Sequence, residues 1–185
     1  MSLDLYRRIY DEEWRRRDAI QASITLPITL VSVLGGALFV FARSFSFAVD
    51  PLTFWFTVPF TVAAVACAVT IYFLVRTSFG YLYRRIPWPD DIRRHHNALH
   101  SFHESQGDPP GLAERAFDDF LIARLVDAAE RNARNNVDSG QYLYRAHQAL
   151  IVTLVAIILT ALPYLIDQRR QAVASPVTVQ QVDKR

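Results

Sequence analysis

The sequence predicts an all-α membrane protein, with three transmembrane helices and a helical cytoplasmic bundle between the second and third. Three observations predict it. The apolar residues are gathered into three long charge-free blocks, the rest of the chain is densely charged, and arginine is spread unevenly over the joining segments.

Ala19 to Ala42 is a first uncharged block of 24 positions, Pro51 to Val75 a second of 25 and Gln148 to Ile166 a third of 19. A hydrocarbon core of ~30 Å needs ~20 helical residues, so the first two blocks span with room and the third just reaches. Backbone polar groups in lipid must pair within their own segment, which selects helices. Three core helices of a water-soluble fold would instead need a large covering shell. A chain of 185 residues, 51% hydrophobic and with mean hydropathy +0.11, does not supply one.

Arginine sets the expected orientation. Residues 1–18 carry Arg7, Arg8, Arg15, Arg16 and Arg17, the 43–50 loop carries only Arg43, and residues 76–147 carry ten arginines. The N-terminus and the 76–147 region are therefore expected in the cytoplasm and the 43–50 loop outside. Three spans put the tail outside as well, against a contrary pull from Arg169 and Arg170 that a re-entrant third helix would remove. Tyr81, Tyr83 and Trp88 fit an aromatic belt at the inner end of span two. Nearly every basic residue is arginine, Lys184 being the exception, which suggests a GC-rich bacterial genome. Charges at Asp4, Arg7, Arg8 and Asp11 occupy the place of an early apolar core, so no signal peptide is expected. The single Cys67 excludes an intramolecular disulfide.

Between the spans, residues 1–18 read as an amphipathic helix with Leu3, Tyr6, Tyr10 and Trp14 on one face. It runs into span one (19–42), where Pro27 removes a backbone hydrogen bond. Span two (51–75) continues until Ile86-Pro87-Trp88-Pro89 stops it. Asp90 and Asp91 then cap a helix through about Glu104, and Ser105 to Gly111 form a loop. From Leu112 a long helix places Phe117, Phe120, Leu121, Leu125 and Ala128 near one face and runs toward span three (148–166), with Gly140 its weak point. Residues 167–185 read as a polar, disordered tail. The 76–147 region balances ten arginines with ten acidic residues, so it offers no basic nucleic-acid surface.

Four histidines cluster at His95, His96, His100 and His103. The spacing of His96, His100 and His103 puts three imidazoles on one helix face, a pattern able to hold Zn²⁺, though no recognised ligand set is completed and no cofactor is expected. Arg94 to His100 is similar to the Arg-x(4–6)-His signature of HEPN ribonucleases, in which arginine binds phosphate and histidine transfers protons. In span one, Gln21, Thr25, Thr29, Ser32 and Gly36 recur on one stripe, a helix-packing seam or the lining of a pore made by several copies. No span contains Asp, Glu, Lys or Arg, which argues against a proton pump or ion-coupled transporter. Asn132, Asn135 and Asn136, poor helix formers in a long helix, are candidates for sensing a polar ligand or for bonding between helices.

The Arg/Trp-rich stretch from Tyr6-Arg7-Arg8 to Trp14-Arg15-Arg16-Arg17, followed by closely set spans, resembles the SLATT group of small bacterial membrane proteins. Gly80 to Pro87, and Asn132 through Asn136 leading to Tyr142-Leu143-Tyr144-Arg145, are similarly familiar from bacterial membrane proteins. A third span departs from the two-span core of that group. The resemblance implies an oligomeric, non-enzymatic effector of antiviral defence that forms a pore or disrupts the inner membrane. Its implied partners are the lipid bilayer, further copies of itself, and a sensor protein or nucleotide second messenger. A membrane-tethered HEPN-like nuclease using Arg94 and His100, or a scaffold anchoring a partner protein, are the alternatives.

Overall fold

The computed structural model describes residues 3–109 and 111–174. They form four helices joined by short segments: α1 (Leu3–Ser44), α2 (Pro51–Ser78), α3 (Pro89–Gln106) and α4 (Leu112–Ala174). α1, α2 and α4 are each long and apolar enough to cross a membrane. At most 33% of the most apolar stretch of any of them is buried inside the chain. The chain divides into two compact units, one of Met1–Ile24 with Arg76–Leu143 and one of Thr25–Val75 with Tyr144–Arg185.

Burial along the long helices follows a seven-residue step. On α1 the buried positions include Tyr10, Ile24, Val31 and Leu38, a step that Phe45 continues just past the helix end, and on α2 Phe56, Ala63, Thr70 and Thr77. On α4 they run Leu125, Asn132, Ser139, Ala146, Thr153, Thr160 and Asp167. A repeat averaging 3.5 residues keeps one seam facing its neighbours over many turns, as in coiled coils and helix bundles. The residues on the α2 and α4 seams are mostly small, which lets helix backbones approach closely.

In the apolar unit, Phe45 stacks on Phe56 at 3.8 Å between ring centres, and Phe41 lies 4.7 Å from Tyr164. Thr29, Ser32, Thr61, Thr70, Thr153 and Thr160 each donate their hydroxyl to the carbonyl four residues back. That bond satisfies a hydroxyl within its own helix, without water.

The loop end of this unit is polar. Asp50 caps α2, its carboxylate accepting the Thr53 N–H at 2.9 Å, with Pro51 following at the first helical position. Asp167, buried, accepts both the hydroxyl and the N–H of Ser46. Gln168 donates to the Ser44 carbonyl at 2.9 Å, and Arg170 pairs with Asp50 at 2.9 Å.

Three expectations are corrected. α2 ends at Ser78, because Gly80 takes a left-handed φ of 97° there, and Ile86 to Pro89 instead close an extended segment. α3 is capped by Trp88 with Pro89 at its first position, while Asp90 and Asp91 lie in its first turn and pair with Arg93 and Arg94. α4 passes Gly140 and Ile166 unbroken to Ala174, so Asp167 to Ala174 are helical where a disordered tail is expected; the rest of that tail lies outside the described residues.

Ala146 is fully buried on the seam whereas Val155 is exposed. Ala146→Leu is expected to destabilise the protein by about 1–3 kcal/mol through overpacking, and Val155→Leu to change little; thermal unfolding in detergent measures both. The cap adds a pH dependence. The Thr53 N–H, together with the Thr53 hydroxyl and Arg170, holds the Asp50 carboxyl below its ordinary value of 3.8 against the opposing effect of burial. A depressed carboxylate stabilises the fold above that ordinary value and loses the contribution as pH falls from there through its lowered folded-state value. The Tm of Asp50→Ala is expected to be lower at pH 7 and to fall less on acidification than that of the natural chain.

Candidate functional site

The arginine-rich unit is built on the face foreseen for the N-terminal helix. Tyr10 is buried with Leu125, Ala128 and Ala129, and Leu3, Tyr6, Trp14 and Ile86 pack around that cluster. The segment 79–88 lies against α4 and has no strand to pair with among the described residues, so its backbone polar groups need side-chain partners. Asparagine supplies them. The Asn132 carbonyl accepts the Arg84 N–H at 2.8 Å while its amide donates to the Arg84 carbonyl at 3.0 Å. Asn135 donates to the Leu82 carbonyl at 3.0 Å.

One turn on, Asn136 accepts the Tyr83 hydroxyl at 2.8 Å and donates to the backbone and side chain of Glu13 on α1. Ser139 donates to the Thr77 carbonyl. Asn132, Asn136 and Ser139 are almost wholly buried, so each of these bonds replaces one that water would otherwise make. Burial raises the Tyr83 pKa, with Glu13 adding to that and Arg17 opposing it, and the phenol stays a donor.

Charge is placed around this core by aromatic faces. The Arg17 guanidinium lies 5.0 Å from the Trp14 ring centre and 4.7 Å from that of Tyr83, and Arg85 lies 5.8 Å from Trp14. Arg84 pairs with Asp127. Tyr83 thus belongs to the interior network and is not free for the aromatic belt expected of it, while Trp88 is exposed.

The asparagines therefore act between elements, and their amides are occupied by the chain itself. Gly80 to Pro87 and Asn132 to Asn136, the two stretches that look familiar in the sequence, are partners in space. Asn132→Ala removes two bonds and leaves the Arg84 N–H and C=O without their side-chain partner, at a cost of about 1–3 kcal/mol. Trypsin is expected to cut the variant faster than the natural chain after Arg84 or Arg85, both exposed; equal rates would contradict this role.

The other predicted residues fall into separate places. Gln21, Thr25, Thr29, Ser32 and Gly36 are all exposed, because Ile24, Pro27, Val31 and Leu38 form the inward face of α1. Arg94 pairs with Asp91 at 2.5 Å, whereas His100 meets Glu114 of α4 at 3.0 Å, so the suggested phosphate binder and acid–base pair are engaged by different partners. His96 lies 3.6 Å from the same Glu114 oxygen. His103 does not join them. Gly107 ends α3 in a left-handed turn with φ 70°, and His103 bonds Asp108 at 2.8 Å. The trio His96, His100 and Glu114 thus replaces the expected His96, His100 and His103. Glu114 escapes sequence reasoning because the 107–111 loop separates it from the histidine run.

No family model, curated protein or solved structure matches this chain.

Proposed function

We propose that the protein is an oligomeric effector of the bacterial inner membrane that permeabilises the bilayer, in the manner of the SLATT-like proteins its sequence resembles. The observation that carries this reading is the outward stripe of Gln21, Thr25, Thr29, Ser32 and Gly36 on a helix whose inward face is already filled. A polar stripe facing acyl chains gains nothing, whereas against other copies it supplies close packing or a wetted wall. Thr29 and Ser32 satisfy their hydroxyls within the helix, so such a stripe survives in lipid before copies assemble.

In this reading the arginine-rich unit is cytoplasmic and the 44–50 loop is outside. The meeting of Asp167, Gln168 and Arg170 with that loop supports a third helix that crosses fully.

Induced expression in bacteria carrying a membrane-potential dye tests the proposal. The natural chain is expected to depolarise the cells, and the triple variant Thr25→Leu, Thr29→Leu, Ser32→Leu to reach the membrane yet lose most of that effect and its crosslinked oligomers. An unchanged potential with the natural chain in the membrane, or full activity of the variant, would remove the proposal.

A further inference from the structure

We propose that His96, His100 and Glu114 form a binding site for one divalent transition-metal ion of the zinc class, and that the ion clasps α3 to α4. The site is independent of the permeabilising activity proposed above.

The argument begins with α3 itself. It has no buried residue, and its 18 residues are mostly polar. Its ring contacts with α4 are His95 against Phe120 at 4.0 Å and His96 against Phe117 at 4.7 Å. A helix of five turns with no fully buried side chain is weakly attached. The imidazoles one turn apart, His96 and His100, stand on the same face with ring centres 4.5 Å apart. Glu114, in the first turn of α4, points its carboxylate at both.

The distances fit an ion. A tetrahedral centre with bonds of about 2.05 Å has donor atoms about 3.3 Å apart. The Glu114 oxygen stands 3.0 Å from the His100 Nε2 and 3.6 Å from the His96 Nε2, on either side of that edge, and all three donors lie within 4.8 Å of one another. An ordinary ion pair would need only one of the imidazoles, and here two converge on one carboxylate oxygen from a different helix. The Phe117 ring, edge-on to His96, fixes one ligand's orientation.

Two imidazoles with one carboxylate select the ion. This donor set suits Zn²⁺ and its late first-row neighbours and is unsuited to Mg²⁺ or Ca²⁺, which prefer oxygen throughout. All three side chains are partly exposed, so a fourth position remains for water or a ligand from a partner. The imidazoles bind as neutral bases, and any proton they hold is released to solvent.

The test uses the full chain in detergent, without an affinity tag and stripped with EDTA, titrated with Co²⁺. One equivalent is expected to give the visible absorption of a tetrahedral N/O site, and one equivalent of Zn²⁺ to abolish it. His100→Ala and Glu114→Gln are expected to weaken binding roughly tenfold or more, and His103→Ala to leave it unchanged. Circular dichroism checks that each variant is folded, and the nearly isosteric Glu114→Gln decides the matter if a histidine variant is not. No stoichiometric Co²⁺ spectrum, affinity unchanged in Glu114→Gln, or loss in His103→Ala instead would overturn the proposal.

Discussion

Apolar surface that the chain cannot cover itself is the constraint on which the rest of this structure depends. About two thirds or more of the most apolar stretch of each long helix remains outside the protein's own interior. In water that surface would be strongly unfavourable, at about 25 cal/mol per Å². Against hydrocarbon it costs nothing, and the burden shifts to polar groups, each of which must find a partner within the chain. The details obey that demand. Thr70 and Thr160 bond to their own helices, Asp50 and Asp167 are spent on loop and cap bonds, and charged side chains stay out of the blocks.

The seven-residue seam is how the helices meet under that constraint. α1 brings larger apolar side chains to it, and α2 and α4 bring alanine, threonine and serine. Large against small keeps packing dense without a hydrophobic drive. Toward the arginine-rich unit the α4 seam turns to Asn132, Asn136 and Ser139, whose bonds hold elements with no ladder of their own. At its other end it turns to Asp167, which holds the loop between α1 and α2. One register along one helix therefore serves packing in the middle and hydrogen bonding at both ends.

Much of this is legible in the sequence where the signal is one-dimensional. Charge-free length marks the three long helices, and three- and four-residue spacing marks the Tyr10 and Trp14 face of α1. The end of α2 is harder, because Gly80 competes with the conspicuous Pro87 and Pro89, and the earlier breaker acts first. The polar line from Asn132 to Asp167 is also visible in principle, as a seven-residue step. A search for charges within spans passes over it, since threonine and serine carry none. Partners across long separations are not legible at all. Nothing near Asn132 points to Arg84, and nothing in the histidine run points to Glu114.

Membrane insertion itself is tested most directly by accessibility of single cysteines to a membrane-impermeant maleimide, in a Cys67→Ala background. Ala48→Cys is predicted to label on intact spheroplasts, Asn97→Cys only after lysis, and Val155→Cys in neither case. Labelling of Val155→Cys as readily as Asn97→Cys in detergent-free lysate would contradict the account, because that side chain would then face water.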